Sequence, residues 1–380
     1  MILYLFITAI SLILASQVLS KNERAGSGDS ERTGRITRRQ AVSALCLGAL
    51  FIVLFLLSAF RLEVGNDYGT YVDVIHEIYV GGYVVTEPLF NALVKGLCIL
   101  SGGENYLLVF SFFAFITIWL FFKVMMEQSR SFFLAFFLFM TLGIYFRTFN
   151  TVRYYLVLAM ALYSFRYVLR KEYGKFILLI ALAALLHKSV LVVIPLYLVA
   201  NLPWKKWYIA VMTVLGGLAL IFQQQVVELA LMFYPSYRDT IYLETEVGLS
   251  GNLITIGRCA AVLVLALLCG KEKITQSREN RFYFQLNLLG IGLYSFASFL
   301  PLVGRLGYYL ITSHLLFIPS LLLGIEDRSK RRRLTALVMV CCIIYFLIFL
   351  WTADQEGVRV LPYKSWLFYE KDFLNAGEIF

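Results

Sequence analysis

The sequence predicts an all-α integral membrane protein, and three observations support that prediction. Hydrophobic residues make up 60% of the 380 positions and the mean hydropathy is +0.76, which is typical of polytopic membrane proteins. Charged residues make up only 15% and gather between apolar runs. Many of these runs are about 20 residues long, which matches a hydrocarbon core of about 30 Å. We therefore predict one integral domain over residues 1–380, a helix bundle with about twelve membrane segments in a range of about 10–14.

Ten of the membrane segments follow directly from the apolar runs. The stretch 176–202 is ambiguous, because it fits one long helix or two short helices that meet at His187 and Lys188. The ten predicted spans lie at about residues 2–19, 41–60, 104–125, 131–146, 151–169, 207–223, 253–270, 282–300, 304–324 and 334–351.

The charges of the loops predict the orientation. Basic loops stay on the cytoplasmic side, so the loops at 21–40, 271–281 and 326–333 are expected there. The acidic segments 61–88 and 224–252 are expected to be extracytoplasmic.

Every loop keeps its side only if 176–202 crosses the membrane an even number of times. We therefore predict a tight pair of helices, 176–187 and 189–201, with His187 at its outer tip. Both chain termini then lie on the outer side of the membrane, which the protein crosses many times.

Two outer segments are large enough to form a substrate site. Segment 61–103 contains an apolar helix at 89–100 that is too short to span and is predicted to be re-entrant or interfacial. Tyrosines such as Tyr68 and Tyr71 alternate there with acids, a composition that suits sugars because aromatic rings stack on pyranose faces. An interfacial aromatic belt with solvated acids is the alternative. Segment 224–252 is predicted to be an extracytoplasmic loop that lies on the membrane as a lid.

Four cations stand at the starts of predicted helices on the outer side: Arg153, Lys188, Arg258 and Arg305. A helix N-terminus repels a cation by about 0.3–1 kcal/mol, and a charge at bilayer depth costs about 2.5–3.5 kcal/mol. Four such placements on one side predict a pocket for a strongly anionic ligand such as a diphosphate.

The segment YFRTFNTVRYY (145–155) strengthens this prediction. It places Arg147 just before a helix and Arg153 in the first turn, with Asn150 as the predicted N-cap. Two guanidinium groups at one helix start form a good diphosphate clamp, because each can bind oxygens in a bidentate manner. The alternative is that both arginines extend to lipid phosphates.

His187 is a candidate site residue. The neighbouring Lys188 favours the neutral, basic form of the imidazole. The alternative is a histidine that packs in the core.

Charge and cysteine usage exclude other classes. The net charge of +10 is spread over short loops that face an anionic inner leaflet, so nucleic acid is a poor partner. The six cysteines lie in or beside apolar segments without metal-ligand spacing, so they are predicted to pack and no metal site is predicted.

Four strings of residues resemble, in this order, the EpsG family of bacterial exopolysaccharide proteins, a group similar to Wzy-type polymerases. The resemblance covers about residues 55–202 well and continues weakly through GRLGYYL (304–310). One departure is Tyr154, where Gln is expected in most members. The strings are FRLEVGNDYGTYVDVIHEIY (60–79), TEPLFNAL (86–93), FNTVRYYLVLAMALYSFRYVLRKEYGKF (149–176) and ALAALLHKSVLVVIPLYL (181–198).

The resemblance implies a glycosyltransferase that joins polyprenyl (undecaprenyl) diphosphate-linked oligosaccharide repeats outside the plasma membrane. Arg153 and Arg305 are expected to bind the diphosphate, with Arg61 and Arg258 in support. Either His187 or Asp67 is expected to take the proton of the acceptor. The predicted catalytic residues are His187, Asp67 and Arg153, and the predicted substrate-binding residues are Arg61, Tyr68, Tyr71, Glu87, Arg147, Asn150, Lys188, Arg258, Arg305 and Tyr308.

The diphosphate already activates the donor, so the reaction requires no cofactor, nucleotide or metal, with a metal between Asp67 and the diphosphate as the alternative. The expected partners are the lipid-linked oligosaccharide, membrane lipid and a chain-length regulator protein. Two other functions stay open: a ligase that moves the finished glycan to another acceptor, and a flippase for the lipid-linked repeat. A flippase predicts cations along a central path and paired repeats with broken helices.

Overall fold

The computed structural model describes residues 1–20, 37–203, 205–233, 249–300, 303–354 and 359–368. These residues form helices and no strand, apart from a single β-bridge between Arg61 and Ser365. The predicted all-α membrane fold is confirmed. Most of the basic loop 21–40 and the central part of the predicted lid 224–252 lie outside the described residues.

Five helices of the described residues are long and apolar enough to cross a membrane, or six if one bent pair counts as a span. The predicted count of twelve is therefore not confirmed. Several apolar runs are divided into shorter helices. The prediction missed these divisions because hydropathy records composition and does not show where the backbone turns. The run 131–146 is an example, since Gly143 adopts a positive φ of 70° and separates two helices.

The chain divides into two compact units, which are described separately. Unit 1 consists of Met1–Ala159 and Thr335–Phe380, and unit 2 consists of Met160–Leu334.

Unit 1 is built around α1, which packs against α2 and α6, while α2 also packs against α5. A capping box starts α2, because the Thr37 hydroxyl accepts from the Gln40 N–H at 3.3 Å and the Gln40 side chain accepts from the Thr37 N–H at 2.9 Å. The helices assigned to this unit are α1 (Ile2–Ser16), α2 (Arg38–Ala59), α3 (Tyr68–Val80), α4 (Pro88–Leu100), α5 (Tyr106–Gln128), α6 (Phe132–Thr141), α7 (Ile144–Arg147), the first part of α8 (Val152–Leu169) and most of α18 (Arg328–Trp351).

Residues 359–368 form a strap along the segment that follows α2. The Leu62 N–H donates to the Lys364 carbonyl at 3.0 Å, and the Trp366 N–H donates to the Phe60 carbonyl at 2.9 Å. The buried Tyr4 hydroxyl donates to the Val360 carbonyl at 2.7 Å. The strap therefore fixes the backbone that leads from α2 to α3.

Unit 2 is built around its helix α15, which contacts α10, α11, α13, α16 and α17. A buried polar pair lies among these helices, because the His314 ring and the Asn287 side-chain oxygen are 2.8 Å apart. The helices of this unit, beside the end of α8 and the start of α18, are α9 (Tyr173–Ala184), a 3₁₀ helix (Lys188–Val192), α10 (Val193–Ala200), α11 (Lys206–Ile221), α12 (Gln223–Phe233), α13 (Leu249–Cys269), α14 (Lys271–Thr275), α15 (Arg278–Phe296), α16 (Val303–Ile311) and α17 (His314–Leu323).

The stretch 176–202 is interrupted near the residue that the sequence singled out. Helix α9 ends at Ala184, His187 is extended, and the 3₁₀ helix begins at Lys188. Helix α9 also contacts α10 beyond the break. The division into two short helices is confirmed, while the crossing of the membrane by each half stays a prediction.

Candidate functional site

Arg153 is the second residue of α8, and side chains of unit 1 hold its guanidinium. The group forms an ion pair with Glu87, and its central carbon lies 5.0 Å from the ring centre of Phe90 and 5.9 Å from that of Tyr71. The side chain is 18% exposed, and its buried Nε–H has no hydrogen-bond partner among the described residues. Arg153 is thus fixed in position, and its partly exposed guanidinium has N–H donors beyond the one that binds Glu87.

The start of α4 positions Glu87. Pro88 is the first residue of the helix, where a missing N–H costs nothing, and Glu87 precedes it with an extended backbone. The Thr86 hydroxyl donates to the Asn91 side chain, which also donates to the Thr86 carbonyl at 3.2 Å. These contacts stiffen the turn that carries the partner of Arg153.

The segment that leads into α8 holds Asp67 in place. Asp67 precedes α3, and its partner Thr151 lies two residues before Arg153. The Thr151 hydroxyl donates to the Asp67 carboxylate at 2.8 Å, and the Asn66 N–H donates to the Asn150 side-chain oxygen. Gly65 allows this approach, because its φ is +103° and a Cβ there would collide with the backbone carbonyl of Phe149, in the turn before α8. The loop before α3 and the start of α8 therefore form one connected group.

The predicted capping role of Asn150 is wrong. Helix α8 begins at Val152, so Thr151 is the residue that precedes it. The Asn150 oxygen accepts instead from the Asn66 N–H, 84 positions away in the chain. A tertiary contact has replaced the local one that the sequence suggests.

Arg61 is only 2% exposed, although the sequence places it in an outer segment. Its Nη1 donates to the Ser58 carbonyl at 2.5 Å, and its guanidinium carbon lies 4.9 Å from the ring centre of Phe110 and 5.6 Å from that of Phe149. Burial lowers the pKa of Arg61 to about 10, so the group stays charged at neutral pH. This geometry favours a role in positioning over direct contact with a ligand.

Tyr68 and Tyr71 are both buried. Tyr68 stacks on Phe110 with ring centres 4.7 Å apart, and burial raises its pKa. The Tyr71 hydroxyl accepts from the Arg153 backbone N–H at 3.3 Å. Tyr71 thus contacts Arg153 through its hydroxyl and through its ring.

Arg147 is the last residue of α7, and its guanidinium carbon lies 5.1 Å from the ring centre of Phe349. A Cβ at Gly143 would also lie 3.2 Å from the Phe349 ring, so this ring packs closely on the turn before α7. Arg147 and Arg153 belong to the same unit.

Unit 2 carries the other predicted residues. Ser189 follows Lys188, and its hydroxyl is 2.8 Å from the Tyr309 hydroxyl. The Tyr197 hydroxyl donates to the Tyr309 carbonyl at 2.7 Å. These bonds fix the 3₁₀ helix and α10 against α16, so His187 and Lys188 lie on a segment bonded to the helix that carries Arg305 and Tyr308.

Arg305 is the third residue of α16, so its place at a helix start is confirmed. For Arg258 the same prediction is wrong, because α13 begins at Leu249 and Arg258 is well inside it. The apolar run starts later than the helix, since polar residues such as Asn252 also belong to the helix. The Arg258 guanidinium carbon lies 5.8 Å from the ring centre of Tyr308, which brings Arg258 to α16.

A sequence model of the EpsG family matches residues 44–365. The chain belongs to the EpsG family. No curated protein and no solved structure matches it. The matched range extends well beyond the strings that showed the resemblance and includes every predicted site residue. Membership of this family supports a role like that of a polysaccharide polymerase in a multi-pass membrane protein.

The EpsG-family chain also holds contacts that the sequence did not single out. Thr151 is one, because it bonds Asp67. Glu104 is another: one oxygen is 2.9 Å from the His76 ring and the other accepts from the Tyr106 hydroxyl at 2.5 Å. Thr151 and His76 are far in the chain from Asp67 and Glu104, so no local spacing reveals these two contacts. Among the described residues, no group of three His, Cys, Asp or Glu side chains is arranged to hold a metal ion.

Proposed function

We propose that this EpsG-family protein is a glycosyltransferase that joins polyprenyl diphosphate-linked oligosaccharide repeats at the outer face of the bacterial plasma membrane. The observation that carries the proposal is the setting of Arg153. It is a partly exposed arginine at a helix start, fixed by Glu87 and two aromatic rings. A diphosphate oxygen is the kind of acceptor that such a donor binds.

The reaction forms one bond and breaks one bond. The acceptor hydroxyl oxygen bonds to the anomeric carbon of the donor sugar, and the bond from that carbon to the diphosphate oxygen breaks. The diphosphate leaves with the electron pair, so negative charge develops on it. A positive group that is already in place stabilises this charge without reorganisation, and we assign that role to Arg153.

Glu87 and Tyr71 serve this role indirectly. Glu87 binds Nη1 of Arg153 and so fixes the plane of the guanidinium. Tyr71 anchors the first turn of α8 through the Arg153 N–H. A held guanidinium loses little conformational entropy when it binds a ligand.

The acceptor hydroxyl loses its proton to a base, and two residues are proposed for this role. Asp67 in unit 1 is fixed by Thr151, and His187 in unit 2 precedes the 3₁₀ helix. Asp67→Asn and His187→Ala distinguish them, because only loss of the base stops polymer formation while binding of the lipid-linked repeat persists. Quantitative binding of the labelled repeat to both variants supplies the control.

The cations of unit 2 suit a lipid diphosphate as well. Lys188 and Arg305 lie on elements that hydrogen bonds join, and Arg258 contacts the ring of Tyr308 on one of these elements. We propose that this group binds the diphosphate of a lipid-linked saccharide.

Reconstitution tests the proposed reaction. The purified full-length protein in liposomes, supplied only with lipid-linked repeats, should give a ladder of polymers that differ by one repeat. Movement of the lipid-linked repeat across the membrane without a ladder would support a flippase instead. Transfer only to an added non-lipid acceptor would support a ligase.

The proposed topology has a separate test. Single cysteines introduced at exposed positions within 65–85, such as Asp73 and Tyr83, should react with a membrane-impermeant maleimide added outside cells, and cysteines at 25–35 should not. The reverse pattern would contradict the outer placement of the site.

A further inference from the structure

Arg61 carries a buried positive charge that no carboxylate of the described residues balances. The side chain is 2% exposed, and the guanidinium stays charged at neutral pH. Within the described part of the chain, the ionisable groups that act on it are all tyrosines, which are neutral at pH 7. Burial raises the pKa of Tyr68 and of Tyr363, so neither supplies a negative charge. The four tyrosines are Tyr4, Tyr68, Tyr145 and Tyr363.

The contacts of Arg61 offset only part of the cost of burying its charge. Its Nη1 donates to the Ser58 carbonyl at 2.5 Å and to the Ser58 hydroxyl at 3.4 Å. The rings of Phe110 and Phe149 add cation–π attraction. Nη2 donates to none of the described residues, although a guanidinium presents N–H donors on both of its terminal nitrogens. Rings and neutral acceptors do not cancel a buried charge, which normally requires a charged partner.

A small cavity lies beside Arg61, where three segments of unit 1 meet. Its volume is about 10 Å³, which is room for about one water-sized particle. Its lining comes from the end of α2 together with Arg61, from α5, and from the turn before α8 together with Val152. Three of the lining residues carry a hydroxyl group: Ser58, Thr117 and Thr148. The cavity is therefore polar, and a cation forms part of its wall.

The donors and the size of this cavity select a small anion. The Ser58 hydroxyl oxygen accepts from Arg61, so its own proton is available to an occupant. Thr117 brings a second hydroxyl, whereas the Thr148 hydroxyl already donates to the Tyr145 carbonyl at 2.6 Å. Phosphate and diphosphate are far larger than one water molecule, whereas chloride is only slightly larger. Water fits the space as well, but it leaves the charge of Arg61 unbalanced.

We propose that this cavity binds a single chloride ion, which balances the charge of Arg61. The ion joins α2, α5 and the start of α8, so it braces the backbone that carries Arg153. It is a structural ion, separate from the lipid-linked substrate. The inference does not depend on the proposed reaction, because it rests on a buried charge and a cavity that exist without substrate.

Two buried threonines of unit 1 provide a matched pair of variants. Thr117 on α5 lines the cavity, and Thr8 on α1 does not. Valine keeps the shape of either side chain and removes the hydroxyl. The Thr8 hydroxyl has no hydrogen-bond partner among the described residues, so Thr8→Val breaks no such bond. Thr117→Val should therefore weaken chloride binding, and Thr8→Val should leave it unchanged.

Equilibrium dialysis of the purified full-length protein against radiolabelled chloride tests the proposal. The buffer contains gluconate, which is too large for the cavity. We expect one tight, saturable chloride site per chain in the wild type and in Thr8→Val. Thr117→Val should bind chloride about tenfold more weakly, because it loses one hydrogen bond to a charged ligand. Arg61→Leu should lose the site, and Thr117→Val carries the test if Arg61→Leu does not fold.

Thermal unfolding in detergent gives a second measurement on the same proteins. Chloride well above its dissociation constant should raise the unfolding temperature of the wild type by about 2–5 °C relative to gluconate of equal ionic strength. The rise should be smaller for Thr117→Val at the same chloride concentration.

Three outcomes would overturn the proposal. The first is no saturable chloride binding to the wild type, which would leave the cavity to water. The second is equal affinity of Thr117→Val and Thr8→Val, which would place the ion elsewhere. The third is displacement of the bound chloride by inorganic diphosphate, which would assign Arg61 to the substrate site. None of these measurements requires turnover, so failure of the polymerase proposal would leave the chloride site standing.

Discussion

The segment after α2 and the start of α8 each contribute one arginine to unit 1, but the two arginines are placed differently. Arg61 is 2% exposed, lies between Phe110 and Phe149, and donates to a main-chain carbonyl. Arg153 is 18% exposed and pairs with a carboxylate. The backbone around Arg61 is also fixed by the strap at 359–368. Burial and the kind of partner thus separate an arginine that holds the fold from one that can reach a ligand.

The largest effect is expected from the removal of Arg153, the more exposed of the two arginines. Arg153→Ala should lower polymer formation in cells by about 10²–10³-fold, because one preorganised donor to developing charge is worth about that much. The amount of membrane-inserted protein should stay near normal, which immunoblotting checks. Normal polymer from this variant would mean that another group stabilises the leaving diphosphate.

Arg61 should behave in the opposite way. Arg61→Leu leaves the Ser58 carbonyl without its donor and removes contacts to two rings, so we expect the free energy of unfolding to fall by about 2–4 kcal/mol. Thermal unfolding in detergent measures this loss. Catalysis per folded molecule should change little, and a fold of unchanged stability combined with lost activity would assign Arg61 to the substrate instead.

A smaller effect is expected at the contact between the two segments. Thr151→Val keeps the shape of the side chain and removes the hydrogen bond to Asp67, so the polymerisation rate should fall about 3–10-fold. Thr151→Ser, which restores the hydroxyl, is the matched control and should keep most of the rate. Equal loss in both variants would show that the methyl group matters and the hydrogen bond does not.

The smallest effect is expected where the strap meets solvent. Lys364 pairs with Glu63 at 2.5 Å, but both side chains are about half exposed. Lys364→Ala should therefore change the free energy of unfolding by less than about 1 kcal/mol. A thermal shift as large as that of Arg61→Leu would show that the exposed ion pair stabilises the fold as much as the buried arginine does.

The sequence predicted the helical class and the place of Arg153 at a helix start from apolar runs, which are local signals. It predicted the break near His187 from the charges of the loops, which fix how many times 176–202 crosses the membrane. It did not predict α3, although Tyr68, Tyr71, Val72, Ile75 and Ile78 recur at helical spacing and are all buried. The tyrosines and acids of that segment predicted a sugar-binding site instead.

The remaining differences arise from contacts between distant residues. Thr151 meets Asp67 across 84 positions, and Asn150 meets Asn66 across the same separation. The burial of Arg61 depends on rings from α5 and from the turn before α8. Arg258 was placed at a helix start because the apolar run begins near it, whereas α13 continues through the polar residues before that run. The pattern of residue types along the chain does not predict these contacts, the burial of Arg61 or the start of α13.

The most direct test of the central claim compares two lysine substitutions that keep the charge. Purified Arg153→Lys and wild-type protein, matched for folded amount, are assayed for release of lipid diphosphate from a synthetic lipid-linked repeat, with Arg166→Lys as a control at an arginine outside the predicted site. Lysine cannot reproduce the planar, bidentate geometry of arginine. The account predicts a rate at least about 100-fold below the wild type for Arg153→Lys and a nearly unchanged rate for the control. A rate for Arg153→Lys within about threefold of the wild type would contradict it.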